Sequence, residues 1–277
     1  MPQDPAPAVS PAAPSSPSRA VQSLTRALAL LDHLADAGGR ATLSELAAAS
    51  GLPAPSTHRL LSTLVASGHV RREAGRRYAL GPRLVRLGDA AGRVLGDSVR
   101  PLLAELVAGT GESANLAGLD GDAAVYLAQV PSPHPMRMFT EVGRRVPLHC
   151  TGVGKALLST MEARAVELLL SRTGMTARTP STVTDPGALR IELDEGFHRG
   201  WLVDDGEEEV GVRCVAVPVP GAPSPCALSV SGPAARLGPA EVGRIGPLLR
   251  DAAGRLGHDL AGLPPTVTAG AGREDLP

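Results

Sequence analysis

Lys155 is the one lysine among 27 basic residues in this 277-residue chain. Aromatic residues make up only 2%, so any core must be packed from Leu, Val and Ala. Three cysteines, Cys150, Cys214 and Cys226, form an odd set without C-x-x-C spacing. That excludes a disulfide framework and a zinc module, and it fits a reducing compartment. No apolar run approaches the ~18 residues of a membrane span. The amino terminus lacks a basic segment followed by an apolar core. Neither membrane nor export is therefore expected, and the location is read as cytoplasmic. H-E-x-x-H, G-x-S-x-G and paired-carboxylate patterns are missing too, so no metal, cofactor or enzymatic activity is expected. The rival is an enzyme using Cys150 or Cys214 as nucleophile. Cys150 follows His149 directly, and neighbours in an extended strand face opposite sides, which makes a poor nucleophile–base pair.

What is present is 43% hydrophobic and 20% charged, with a net charge of −1. The length suits two modest domains, each with its own core. The near-zero charge hides an asymmetry. Residues 19–87 carry ten arginines against four acids, or +6, whereas residues 88–277 carry 17 basic and 23 acidic residues, or −6. A small basic segment joined to a larger acidic one points to an anionic partner for the former.

Residues 1–19, with six prolines, read as a disordered leader, and residues 263–277 as a disordered tail. From Val21 to Ala37, Leu24, Ala27, Leu28, Leu31 and Leu34 recur at helical spacing. A capping box, Thr42-x-x-Glu45, then opens a second helix that Gly51 ends. The third helix has Pro55 in its first turn, an apolar face of Leu60, Leu61, Leu64 and Val65, and a stop at Gly68. "HVRREAGRRYALG" reads as two short strands around Glu73-Ala74-Gly75. Three short helices and a hairpin, over residues 20–81, describe a winged helix-turn-helix.

In that motif the second helix enters the major groove of double-stranded DNA and presents its first turn to base edges. Here that turn offers Ser56, Thr57, His58 and Arg59. Hydroxyls can contact bases or phosphates, and arginine pairs bidentately with guanine. Arg71, Arg72, Arg76 and Arg77 flank the wing tip, placed for phosphates or a minor groove. Taken singly, Ser56 and Thr57 could merely cap the helix and the arginines could be solvated. The set, on a domain of +6, favours DNA.

Residues 82–100 read as a linker helix, interrupted near Pro101, where a second domain (101–262) begins. Within it "ESANLAGLDGDAAVYLAQV" reads as two strands joined at Asp120-Gly121. "MRMFTEV", "RCVAVPV" and "CALSVSG" are further strand candidates. "GKALLSTMEARAVELLL" and "DPGALRIELDEGFHRG" are helical. The expected class is α+β on a largely antiparallel sheet.

"PLHCTGVGKALLST" (147–160) invites comparison with a phosphate-binding loop. The strict pattern needs glycine where His149 stands and a hydroxyl where Ala156 stands, so a nucleotide site is excluded. A glycine-rich turn at a helix start still favours an anion.

"VQSLTRALALLDHLAD", "TLSELAAASGLPAPSTHRLLSTLVASGHVRR" and "RRYALGPRLVRLG" resemble the DNA-binding domain of the IclR family of bacterial transcriptional regulators. "VGRRVPLHCTGVGKALLS", "GWLVDDGEEEVGVRCVAVPV" and "ALSVSGP" are similar to motifs of that family's effector domain. The resemblance runs from about Val21 to Leu260. It implies a GAF-like effector domain, homodimers or homotetramers, and a repressor whose promoter binding is controlled by a small organic acid. It also implies effector-binding positions at Gly152, Val153, Asp204, Cys214, Ser229 and Ser231, with Met138, on the strand before the loop, as an apolar wall. Val153 stands where a smaller residue is usual, which would narrow the pocket. Serine hydroxyls and a thiol can donate to a carboxylate, and Asp204 could accept from a ligand hydroxyl. Against this, Cys214 could be inert core, Ser229 and Ser231 could share a solvent face, and the domain could serve dimerisation alone. Glu207, Glu208 and Glu209 are expected to be solvated surface. Lys155 is expected to pair with an acid or to cap the rim of the site.

Overall fold

The computed structural model describes residues 21–138 and 140–261; the expected disordered leader and tail lie outside them. Contacts divide the chain into two compact units, Met1–Asp89 and Ala90–Pro277.

In the first unit, α1 (Gln22–Asp36), α2 (Leu43–Ser50) and α3 (Ala54–Ala66) pack around Leu30, Leu34, Leu46, Leu61 and Leu64. Leu24 and Leu28, expected on the inward stripe of α1, are instead exposed. Leu30, outside that stripe, is fully buried. The capping box at α2 is complete. Thr42 N donates to Glu45 Oε2 at 2.7 Å, and Glu45 N donates to Thr42 Oγ1 at 3.3 Å. Gly51 closes α2 at φ +65°, a conformation that costs glycine little.

The wing holds β2 (Val70–Glu73) and β3 (Arg77–Leu80), joined by a 3-10 turn over Ala74–Arg76. A third strand, β1 (Arg40–Thr42), pairs with β3 and gives the order β1-β3-β2. At three residues it is too short for alternation to reveal it.

The helix α4 (Arg83–Thr110) runs unbroken through Pro101, which corrects the interruption expected there. Proline deletes one helical hydrogen bond at a cost of ~3 kcal/mol. Burial of Val99, Leu103, Leu106 and Val107 outweighs it at ~1.5–3 kcal/mol for each fully buried side chain.

The second unit is built on six strands: β4 (Ser113–Asp120), β5 (Ala123–Val130), β6 (Arg145–Val146), β7 (Leu202–Asp205), β8 (Val212–Pro218) and β9 (Cys226–Pro233). Their order is β6-β5-β4-β9-β8-β7, with each neighbouring pair antiparallel. Asp120 pairs with Ala123, so the hairpin loop is Gly121-Asp122, one residue later than expected. The described residues of "MRMFTEV" form no strand; Met138 lies in an irregular segment, which corrects its expected place. Helices α5 (Gly152–Leu158), α6 (Ala163–Thr173), α7 (Pro186–Arg199) and α8 (Pro239–Leu260) complete the unit.

Strand alternation makes the sheet two-sided. Leu116, Val215, Val217, Leu228 and Val230 form one core with side chains of α4 and α8. The opposite face carries Ala117, Ala216 and Ala227, which pack with Val153, Ala156 and Leu157 of α5. Small residues there let a helix lie close. Among the described residues no helix is long and apolar enough to cross a membrane.

Thr42→Ala removes one half of the capping box and should lower stability by about 1 kcal/mol. Urea unfolding of the full chain measures it, and a midpoint equal to wild type would show that α2 does not depend on this cap.

Candidate functional site

Two surfaces gather the chemistry, one in each unit. On the first, Pro55 sits in the opening turn of α3 and its fixed φ starts the helix. His58 and Arg59 are exposed on this turn, and Ser56 is half-buried. Thr57 differs from its neighbours. It is fully buried, and its Oγ1 donates to the Pro53 carbonyl at 3.2 Å, so it secures the helix start from inside.

The wing arginines fall on two sides. Arg72 reaches back to α3, 3.3 Å from His58 Nε2, and lies over the Tyr78 ring at 5.7 Å. Arg71 pairs with Glu73 at 2.8 Å. Arg40 joins the same carboxylate at 3.4 Å, an exposed cation of the unforeseen β1. Arg76 and Arg77 are exposed at the tip. Arg76 adopts φ +61°, a left-handed conformation uncommon outside glycine.

On the second unit, register builds a polar rung across the small-residue face. Asp204 of β7 pairs with Cys214 of β8, Cys214 with Ser231 of β9, and Ser231 with Ser113 of β4. One step along, Ser229 pairs with Asn115. The Asn115 amide donates to both Ser229 Oγ (3.3 Å) and Ser231 Oγ (3.2 Å). Ser229 and Ser231 are buried; they do not face solvent.

Above the rung sits α5. A Cβ on Gly152 would come within 2.8 Å of Cys214 Sγ, and one on Gly154 within 2.5 Å of the Leu148 backbone. The glycines of "GVGK" are therefore there for close packing. Thr151 caps the helix, accepting from Gly154 N at 3.1 Å. Lys155 turns inward with no exposed side-chain surface and donates to Glu192 and Glu207, each at 2.5 Å. Burial alone would lower its pKa; the two carboxylates outweigh that and hold it above the ordinary lysine value.

A small cavity of about 40 Å3 lies against this rung. Met138, Gly152, Asp204, Cys214 and Ser231, all expected site residues, line it. Val153 and Ser229 do not: Val153 packs in the core, and Ser229 lies one step along the same face, bonded to Asn115. Tyr126, Thr140, Arg144 and Glu208, which were not foreseen, line it too, with Glu209 and the side chains of Val146, Thr151 and Val212. Asn115 had a signal, being a lone amide inside an apolar strand. Arg144 had none beyond its nearness to the glycine motif.

The acidic run is corrected at two of its three positions, while Glu209 is exposed as expected. Glu207 is 5% exposed. Glu208 accepts from the Cys150 thiol at 3.3 Å and pairs with Arg178 at 3.4 Å. Two arginines and a buried lysine draw this turn inward.

Burial pushes the Asp204 pKa up to about 7, opposed by the Glu207 amide that donates to its Oδ1 at 2.8 Å. Burial likewise pushes Cys214 to about 12 and raises Cys150 further, with Glu208 adding to it. Both thiols stay protonated, as weak donors. His149 uses Nε2 on the Thr176 carbonyl at 3.1 Å, so it and Cys150 address different partners. Among the described residues no group of His, Cys, Asp and Glu is placed to hold a metal.

A family model described as bacterial transcriptional regulator IclR C-terminal matches residues 93–258, and one described as IclR helix-turn-helix domain matches residues 23–74. The acetate operon repressor of Salmonella typhimurium is 38% identical over 256 residues, covering 88% of this chain and 92% of that protein. A solved structure of a putative IclR transcriptional regulator from Silicibacter is 32% identical, covers 88% and 98% of the two chains, and gives a TM-score of 0.77. An IclR homologue from Microbacterium hydrocarbonoxydans, complexed with 4-hydroxybenzoate, is 26% identical with a TM-score of 0.65 and covers 86% and 98%.

Asp204 gives a pH signature. With a folded pKa of about 7 against ~3.9 unfolded, the native state holds a proton that the unfolded chain releases. Its contribution to stability therefore falls as pH rises from ~4 to ~7 and is constant above that window. Asp204→Asn should gain in melting temperature relative to wild type as pH rises through that window. Parallel melting curves from pH 5 to 8 would contradict this.

Proposed function

The chain belongs to the IclR family of bacterial transcriptional regulators, and we propose that it is a repressor released or retained on its promoter by a small organic acid. The observation that carries this is the pairing of a basic winged helix-turn-helix with a polar cavity, in one chain whose two halves match the family in order. It acts as a regulator and not as an enzyme, in keeping with relatives named as repressors.

In this reading α3 lies in the major groove of promoter DNA, with Arg59 and His58 toward base edges and Ser56 toward a phosphate. Arg72 braces His58 from the wing. Arg71, Arg76 and Arg77 lie along the flanking backbone, and Arg40 adds a cation to that row. The buried Thr57 supports the helix without touching DNA. Self-association into a homodimer or homotetramer is supported by Val21, Leu24 and Leu28, which leave an apolar edge of α1 exposed. Two copies would present two recognition helices to a two-fold operator.

In the second unit the effector sits against Asp204, Cys214 and Ser231, with Met138 and Gly152 as its walls and Ser229 and Val153 as support. The cavity is far below the ~300–1,000 Å3 of pockets that bury drug-sized ligands, so it suits a ligand of few heavy atoms. That the Microbacterium homologue holds 4-hydroxybenzoate supports an acid here. The alternative is a domain that binds nothing and serves assembly alone.

Binding to DNA upstream of its own or a neighbouring gene should weaken steeply with salt, because each phosphate contact releases counterions. Arg59→Ala should lose about 1–3 kcal/mol on the operator and far less on random DNA. Gel retardation measures both, and equal losses would remove Arg59 from base readout. The double variant Ser229→Ala, Ser231→Ala should keep retardation and lose the ligand-dependent thermal shift. An unchanged shift would move the effector away from the rung.

A further inference from the structure

Among the residues lining the cavity, one is a cation, Arg144, and three are acids: Asp204, Glu208 and Glu209. Arg144 is the lining side chain that offers a carboxylate an opposite charge; the other lining side chains able to donate are neutral hydroxyls and a thiol. Arg144 also lines an open groove of about 620 Å3, and its side chain is 47% exposed. One guanidinium thus spans the solvent side and the buried side of the same wall.

Its present partner holds it weakly. Arg144 Nη2 is 3.9 Å from Glu208 Oε1, well beyond the ~2.7–2.9 Å of a charge-assisted hydrogen bond. Glu208 does not depend on this contact, since it accepts from Arg178 at 3.4 Å and from Cys150 at 3.3 Å. The neighbouring cation is committed elsewhere. Arg145 pairs with Asp120 and Asp122 at 3.5 and 3.1 Å. The backbone around Arg144 is held in place. Arg144 N donates to the Glu141 carbonyl at 3.1 Å, its own carbonyl accepts from Tyr126 N at 3.1 Å, and Gly143 N donates to the Tyr126 carbonyl at 2.7 Å. Only the side chain has to move.

We propose that Arg144 is the anion-recognition residue of this cavity, and that a small monocarboxylate binds by taking its guanidinium from Glu208. The inference rests on the effector reading above. The carboxylate gains the planar, bidentate partner that arginine offers. Its far end meets the thiol and hydroxyls of Cys214, Ser231 and Thr140. Glu208 keeps Arg178 and Cys150, so the exchange leaves no buried charge alone. Dicarboxylates bind more weakly, because a second carboxylate would face Glu209 and, once it ionises, Asp204.

The test is calorimetric titration of the full chain with acetate, lactate, benzoate and 4-hydroxybenzoate, with the amide of each, and with succinate. At least one monocarboxylate should bind, with its amide and succinate at least about tenfold weaker, as expected for a lost charged hydrogen bond. Arg144→Gln should weaken that carboxylate by a similar factor and leave the amide unchanged, and Arg144→Lys should recover part of the loss. Glu208→Gln, which removes the competing carboxylate, should tighten binding several-fold; a merely structural Glu208 would not. Arg145→Gln should change nothing. Undiminished carboxylate binding to Arg144→Gln, with Ser231→Ala still impaired, would overturn the role of Arg144 and leave the cavity as the effector site. Failure of every monocarboxylate to bind wild type would overturn both.

Discussion

An ammonium group with no exposed surface demands compensating charge, and Lys155 finds it in Glu192 and Glu207. Desolvation costs several kcal/mol per buried ion, and a missing partner would leave that cost uncompensated. The three side chains come from α5, from α7 and from the turn after β7, so their pairing joins three parts of the second unit. Where Lys155 sits, α5 must follow, and with it the Thr151 cap and the glycines that press on β8. Where Glu207 sits, the turn after β7 must follow, and with it Glu208 and the amide that holds Asp204. The cavity wall is in this sense organised around one buried charge.

The sheet supplies the other half of the site through its two-sidedness. One face is filled by valine and leucine and carries the core with α4 and α8. The other is lined with alanine, serine, cysteine and asparagine, and α5 closes on it. Because neighbouring strands are antiparallel and in fixed register, polar residues far apart in sequence line up across four strands. A one-residue slip in any of them would send its rung residue into the apolar core. The arrangement therefore depends on the hydrophobic pattern of the opposite face as much as on the polar residues themselves.

Much of this was legible from local pattern. The capping box, the helix stops and the wing follow from chemistry within a few residues, and all appear where the sequence places them. The misreadings share a cause. Pro101 breaks a helix in isolation, but burial on both sides carries α4 through it. Thr57 looks like an exposed cap until the helix packs. Glu207 and Glu208 look solvated because their partners, Lys155, Arg178 and Arg144, lie about 30 to 65 positions away in sequence. "MRMFTEV" has strand composition, but Met138 and its described neighbours pair with no strand and cover the cavity instead.

The sequence by itself determined the winged helix-turn-helix, its basic surface, the antiparallel α+β domain and the rejection of a nucleotide loop, because each rests on short-range periodicity, caps or missing ligands. Tertiary structure decided what the glycine motif and its lysine are for. Gly152 and Gly154 allow close contact with β8 and Leu148, and Lys155 points into the core to pair with two carboxylates. It also decided that Arg144 and Glu208 line the cavity while Val153 and Ser229 do not. Those outcomes depend on which distant groups meet, and desolvation and register become visible only once the chain is packed.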